Sequence, residues 1–532
     1  MGRTAGIFGV GLAALALSVG CAPGDDGAAA GDEDDLTSLT ARGRELRFEG
    51  VVFVDPGASD AAIVRTVRKQ TQTAFGALLA QEMAVQSREV KDVDPATFKK
   101  RSVRAIDPDR PGDRGRERLE VRYTYVDNAV VPVKAARKTS MPSALLGTGY
   151  DAPESTRRVV EACTKNDKEA REDAAGGLLW YDFDPSRAAC KRAIDAEQKV
   201  IDGQKKRLAD PKNEVAQAEV DRLFLPVTFA LTAKKTNAGA TYPEYHRLFS
   251  GGVADGRLVV SMIAGRLNHD HAPDAVADSG YYEWMDSLGV IFEAHPGFTL
   301  KSVEPAEDLS TVTVGGRRIS GLSFADFVKW TVYDVGYPAG LSAAEKKELK
   351  TKVGQKLDRH WVTFEKPVSV SVGGAAPRDF VIQLDTYFGA DEDPAPHKRA
   401  TKKSDVVVYN GHSYIGYGPL DPSNFRASDF SGGYQLLFFD SCVSYNYYEE
   451  GFFALKDGGS KNLDMITNGL EAPEWQSGAS QGAFVSKLID GSMPSYKTLL
   501  GTAKATDSMR VVDGEVDNVH APGRPTIKVL AR

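Results

Sequence analysis

The chain has 532 residues, of which 42% are hydrophobic and 26% charged. This composition is typical of a globular protein that is long enough for two or three domains with their own cores. The formal net charge of -7 argues against a nucleic-acid partner.

The N-terminus carries the pattern of an export signal. Arg3 precedes an apolar stretch, residues 6–20, which is too short to span a membrane comfortably and is typical of a signal peptide. The stretch ends in LSVGC at positions 17–21, which resembles the lipobox of bacterial lipoproteins, in which the cysteine becomes the lipidated first residue. The resemblance implies a signal peptide over residues 1–21, a lipid anchor at Cys21 and export to the bacterial cell envelope. Ordinary signal-peptidase cleavage nearby is the alternative.

Residues 22–41 are predicted to form an acidic, disordered tether. Between positions 22 and 35 the chain is rich in Gly and Ala, and every charged residue there is acidic. Such a segment cannot bury a hydrophobic core, so we expect it to stay solvated.

The four cysteines are predicted to have different roles. Of the four, Cys21 is predicted to carry lipid, and Cys163 and Cys190 are a possible disulfide in an oxidising compartment. Closing that loop of about 27 residues would contribute roughly 3 kcal/mol by the chain-entropy argument. Two buried thiols are the alternative. The pairing would leave Cys442 as the thiol without a structural task.

The remainder of the chain divides into two predicted domains. Residues 42–250 indicate an α+β domain of unknown role, with no repeat and no cofactor motif, and a Gly-rich boundary follows Ser250. Residues 251–532 alternate between strand and helix patterns, which predicts an α/β domain built on a parallel sheet. An insertion is predicted at about 310–375. It includes a helix that begins at a capping box formed by Ser342 and Glu345.

Two apolar runs in this second domain each end at a reactive side chain. VVVY at 406–409 leads into Asn410-Gly411-His412, and LLFF at 436–439 leads into Asp440-Ser441-Cys442. Short, continuous apolar runs are typical of strands buried on both faces of a parallel sheet. About two dozen residues separate them, enough for a crossover helix. If the strands are neighbours, His412 and Cys442 leave the same carboxyl edge, where open α/β sheets bind ligands.

From about Leu258 onwards, these motifs resemble the caspase–gingipain–legumain group of cysteine peptidases, including the bacterial CHAT-type domains. In that group one apolar strand ends in His-Gly, and the next ends in a small residue, here Ser441, followed by the nucleophilic Cys. The resemblance implies a caspase-like fold, with Cys442 as nucleophile, His412 as general base and the Cys442 N–H in the oxyanion hole. Ser413 stands where the group has glycine, and Gly411 precedes the histidine instead.

These residues predict a cysteine peptidase that cleaves a protein or peptide substrate and needs no cofactor. The alternative is a non-catalytic surface lipoprotein that keeps a caspase-like fold for binding or scaffolding, and Ser413 favours it. Beyond the third strand, the resemblance implies that Glu471, Glu474 and Trp475 help to line the substrate pocket, where acidic groups would suit a Lys or Arg side chain.

Two competing motifs are interpreted as structural. Residues 478–482 match G-x-S-x-G, but no strand precedes the serine as a nucleophile elbow requires, so we predict a helix N-terminus. His269, His271 and His295 could offer metal ligands, but their spacing is not diagnostic. No metal site is therefore predicted.

Overall fold

The computed structural model describes residues 36–88, 90–234, 237, 240–268, 272–389, 392–472, 477–503 and 508–531. The predicted signal peptide, Cys21 and the first part of the tether lie outside the described residues, as do Glu474, Trp475, His269 and His271. Among the helices that are described, none has the length and apolarity needed to cross a membrane.

The chain forms two compact units. Arg44–Ala233 make up the first, and Lys234–Arg532, together with the segment that ends at Gly43, make up the second. The boundary therefore lies at Lys234 and not near Ser250. The reason is that Tyr245, Leu248 and Phe249 are buried in the hydrophobic core of the second unit.

The first unit is an α+β fold around a mostly antiparallel sheet, in the order β5-β7-β1-β4-β3-β6, with β2 paired to β4. Its strands are β1 Ala41–Val54, β2 Ala84–Val85, β3 Lys99–Ile106, β4 Arg116–Pro132, β5 Ser140–Leu146, β6 Glu214–Ala216 and β7 Phe224–Ala233. Its helices are α1 Asp60–Gln72, α2 Ala74–Leu79, α3 Pro153–Cys163, α4 Lys168–Ala175, α5 Leu179–Asp182, α6 Ala188–Lys205 and α7 Gln217–Val220. A disulfide joins Cys163 at the end of α3 to Cys190 in α6, the pair singled out in the sequence.

The second unit is a mixed α/β fold. Its strands are β8 Arg257–Ala264, β9 Thr299–Glu304, β10 Thr311–Val314, β11 Arg317–Ser320, β12 Trp361–Val372, β13 Arg378–Phe388, β14 Val406–Asn410, β15 Gln435–Asp440, β16 Leu463–Asn468, β17 Arg510–Asp513 and β18 Ile527–Ala531. Its helices are α8 Tyr245–Leu248, α9 Ser279–Ala294, α10 Phe324–Val328, α11 Ala343–Leu357, α12 Ala395–Lys403, α13 Ser444–Leu455, α14 Ser477–Ile489 and α15 Tyr496–Thr502.

A nine-stranded sheet is the frame of this unit, in the order β17-β16-β15-β14-β8-β13-β12-β18, with β9 also paired to β12. The strands from β16 to β13 run parallel, and β17 and β12 run antiparallel to their neighbours. Every residue of β14, β15 and β16 is buried. Burial on both faces explains why these segments show apolar runs in place of alternation.

Helices cover both faces of the parallel strands. Phe438 packs against Phe484 of α14, and Phe439 packs against Phe452 of α13. Because consecutive strand residues point to opposite faces, α14 and α13 lie on opposite sides of the sheet. Helix α14 also packs closely on α9, where a Cβ at Gly478 would lie 2.5 Å from the Glu283 carbonyl oxygen.

Two predicted boundaries in this unit are wrong. The tether does not extend to residue 41, because Leu36 is buried and Thr37 pairs with Val512, so this segment adds to the β17 edge. The predicted insertion ends well before 375, because β12 belongs to the main sheet. Pro367 lies within that strand. It falls between the residues paired with β9 and those paired with β18, where no N–H is needed.

Candidate active site

The ends of β14 and β15 bring the two predicted catalytic residues to one edge of the sheet. The strands are parallel neighbours, with Asn410 in register with Asp440. His412 and Cys442 each lie two residues beyond that pair, on strands spaced about 4.8 Å apart. The structure therefore places both residues at the carboxyl edge, as predicted. The connection between the strands differs, because it contains short 3-10 turns such as Pro422–Asn424 instead of a crossover helix.

The His412 ring is held by the loop that follows β8. Its Nε2 lies 2.9 Å from the carbonyl oxygen of Leu267. A carbonyl can only accept, so Nε2 carries the proton in this contact and Nδ1 is the acceptor nitrogen of the neutral ring. The Tyr409 hydroxyl donates to the His412 carbonyl at 2.9 Å, which fixes the backbone below the ring.

Cys442 lies in a tight turn between β15 and α13. The next residue, Val443, has a φ of 51°, which is strongly disfavoured for a β-branched side chain. The surrounding contacts over-determine this turn. The Val443 N–H donates to Leu470, and the Ser444 hydroxyl donates to the Phe439 carbonyl. Strain of this kind costs about 1–3 kcal/mol and clusters at functional sites. Strand β15 ends at Asp440, so Cys442 lies beyond the strand.

Ser413 is not strained where the resemblance led us to expect glycine. Its φ is -88°, a conformation that any L-residue adopts without cost. The left-handed conformations fall on the next two residues, Tyr414 at φ 52° and Ile415 at φ 53°. The Tyr448 hydroxyl, from the helix that follows Cys442, donates to the Ser413 carbonyl at 2.9 Å. Helix α13 therefore fixes the loop that carries His412.

Gly411 and Ser441 have local structural roles beside the reactive residues. A Cβ at Gly411 would lie 2.3 Å from the Tyr409 hydroxyl oxygen, so no larger residue fits without moving the tyrosine. Ser441 is buried, and its hydroxyl has no hydrogen-bond partner among the described residues. The Ser441 carbonyl accepts from the Asn468 side-chain amide at 3.2 Å.

A buried ion pair lies beneath the Cys442 turn. Arg510 Nη2, at the start of β17, lies 2.6 Å from Asp440 Oδ1, and the two side chains are 5% and 0% exposed. Asn468 donates to the same oxygen at 2.9 Å, and Gln481 of α14 donates to Oδ2 at 3.2 Å. The Asp440 charge is thus compensated inside the protein. No local pattern predicts this arrangement, since Arg510 lies 70 residues beyond Asp440 in the chain.

A buried histidine, His397 of α12, packs against Tyr409 beside the site. Its ring lies 4.9 Å from the ring of Tyr409, the residue that contacts His412. Neither ring nitrogen has a hydrogen-bond partner among the described residues. Burial disfavours the charged form and lowers the pKa of His397 to about 3.

We expect His397 to make the second unit acid-sensitive. The pKa of histidine is about 6.5 in an unfolded chain, so between pH 6.5 and 3 the unfolded state binds a proton that the folded state does not. The stability is therefore complete above pH 6.5 and is lost as the pH falls. The loss should reach about 2 kcal/mol at pH 5.

Urea unfolding at pH 7.5 and pH 5, of the natural protein and the His397→Leu variant, checks this expectation. Buried carboxyls with raised pKa values, such as Asp405 at about 6, titrate in both proteins and cancel in the comparison. Parallel pH profiles for the two proteins would show that His397 has no such effect.

Of the other sequence-predicted residues that the structure describes, Glu471 follows the carboxyl end of β16, and the rest serve the fold. Glu471 is exposed beyond β16, and with Glu474 and Trp475 outside the described residues the predicted acidic pocket stays a prediction. Ser480 of the G-x-S-x-G motif lies within α14, as expected for a structural role. His295 contacts the Ser486 carbonyl at 2.8 Å, and the described part of the chain contains no metal-binding group of three or more His, Cys, Asp or Glu.

Comparisons of the chain with protein-family models, with curated proteins and with solved structures give no match. Only the geometry and chemistry of its own residues therefore bear on what the site does.

Proposed function

We propose that the second unit is a caspase-like cysteine peptidase domain in which Cys442 is the nucleophile and His412 the general base. The observation that carries the proposal is the parallel register of β14 and β15, because of which His412 and Cys442 follow the same edge of the sheet. A thiol and an imidazole in this relation are the minimal unit of nucleophilic cysteine catalysis. Cys442 is a partly exposed residue outside any disulfide, as attack on a substrate requires.

The reaction follows from the roles of the two side chains. The Cys442 thiol transfers its proton to His412 Nδ1, and the sulfur bonds to the carbonyl carbon of the scissile peptide. The N–H groups of Cys442 and Ser413 would stabilise the oxyanion, and each donor would lower the activation free energy by about 3 kcal/mol. The C–N bond then breaks, and the amine leaves with the proton from Nδ1. Water cleaves the thioester and regenerates the thiol.

The contact of His412 with Leu267 supports the role of His412 as the general base. It fixes the proton on Nε2 and leaves Nδ1 as the base, and the same carbonyl stabilises the imidazolium that forms. Ser413 was the sequence feature that favoured a non-catalytic scaffold. It no longer argues against catalysis, because its backbone conformation does not need glycine. Export and lipid anchoring at Cys21 remain part of the proposal, supported by the sequence alone.

A peptide library tests the proposal. We expect the purified full-length protein in detergent to cleave a subset of peptides, and the Cys442→Ala variant to cleave none. Preference for Lys or Arg before the scissile bond would support an acidic pocket, whereas preference for acidic or apolar residues would reject it. Cleavage that persists in Cys442→Ala would overturn the assignment of the nucleophile.

A further inference from the structure

A buried carboxylate lies behind the backbone group that holds His412. Asp278, the N-cap of α9, is 1% exposed. Its Oδ2 accepts the Asn268 N–H at 3.0 Å, and its Oδ1 accepts the N–H groups of Leu267 and Gly280 at 2.9 and 2.8 Å.

The Asn268 N–H and the Leu267 carbonyl belong to the same peptide group. One end of that peptide donates to the Asp278 carboxylate, and the other end accepts from His412 Nε2 at 2.9 Å. Hydrogen bonds in such a chain polarise one another, so a carboxylate on the N–H raises the negative charge on the carbonyl oxygen.

We propose that Asp278 is a positioning residue for His412, acting through the Leu267–Asn268 peptide as the orienting acid of the site. Asp278, this peptide and His412 form what we call the peptide relay. The relay fixes the imidazole ring with its proton on Nε2 and stabilises the imidazolium without a direct contact between the two side chains. Its catalytic consequence rests on the proposed function, but its effect on the ring does not.

The Asp278→Asn variant breaks the relay at one bond. The amide oxygen can take the place of Oδ1 and keep the bonds to Leu267 and Gly280, and asparagine is as good an N-cap as aspartate. The amide NH2 then faces the Asn268 N–H, so two donors oppose each other and the charge is gone. Asp274→Asn is the matched control, because Asp274 caps the adjacent 3-10 turn and bonds Ala277, not the relay peptide.

The test uses proton NMR of the His412 Nε2–H in a Cys442→Ala background, with the signal assigned by its loss in His412→Ala. We expect a downfield, slowly exchanging signal that moves upfield and exchanges faster in Asp278→Asn, and that stays unchanged in Asp274→Asn. In the protein that keeps Cys442, kcat should fall about 10- to 100-fold in Asp278→Asn with KM unchanged. A loss of this size is typical when the hydrogen-bond partner that orients a functional histidine is removed.

An Nε2–H signal that is the same in Asp278→Asn as in its parent would overturn the relay. This readout does not need activity. If the natural protein cleaves no peptide and the signal still moves, the peptidase proposal fails and the relay stands. Thermal melting of each variant confirms that the compared proteins are folded.

Discussion

Replacing Arg510 with leucine should destabilise the second unit by about 3–5 kcal/mol, since the change leaves the buried Asp440 carboxylate without its counter-charge. Asp440 is 0% exposed, and its remaining donors, Asn468 and Gln481, are neutral. Leucine keeps much of the apolar contact that the Arg510 side chain makes 4.7 Å from the Phe438 ring. The free energy lost comes from the unpaired Asp440 charge and from the bond that Arg510 Nε donates to the Asn468 side-chain oxygen at 2.9 Å. It is a large part of the 5–15 kcal/mol typical of a folded domain.

Urea unfolding followed by tryptophan fluorescence measures this loss, because four of the five tryptophans belong to the second unit. The double variant Arg510→Leu/Asp440→Asn should regain most of the stability, as it removes the unpaired charge. Lys352→Ala, which breaks the exposed pair with Glu348, should change stability by less than about 1 kcal/mol. A double variant as unstable as Arg510→Leu would show that the ion pair is not the cause.

The central strands of the second unit could be predicted because they are buried on both faces. Continuous apolar runs at 406–409 and 436–439 predicted two buried parallel strands, and the polar residues after them leave the same edge if these strands are neighbours. The capping box at Ser342 was also predicted, since both of its partners lie within one turn of helix. Each of these features depends on local sequence alone.

What the sequence could not predict depends on contacts between distant segments. Leu267 and Arg510 reach the site from positions far from His412 and Cys442, and no local pattern marks them. The expected crossover helix was wrong because the connection contains Pro419, Pro422 and paired glycines. Its Phe425 and Phe430 instead pack against Phe452 of α13. The backbone conformation of Ser413 depends on Tyr448, a tertiary contact that only the fold supplies.

The His412→Ala variant should react with alkylating agents at Cys442 as slowly as an ordinary thiol does. An imidazolium beside a thiol stabilises the thiolate, which is the reactive species, whereas a thiol of ordinary pKa near 8.5 is about 0.3% thiolate at pH 6. We therefore expect alkylation of Cys442 at pH 6 to slow at least tenfold, and up to about 100-fold, in His412→Ala. His295→Ala is the matched control, because His295 contacts Ser486 and lies outside the site.

The rate of iodoacetamide labelling at Cys442, read by mass spectrometry on the full-length protein, tests the pairing of the two residues without a known substrate. Fast labelling that persists at pH 6, is lost in His412→Ala and survives in His295→Ala is the result we predict. Slow labelling of the natural protein that rises only above pH 8 and does not change in His412→Ala would contradict a catalytic role for the pair.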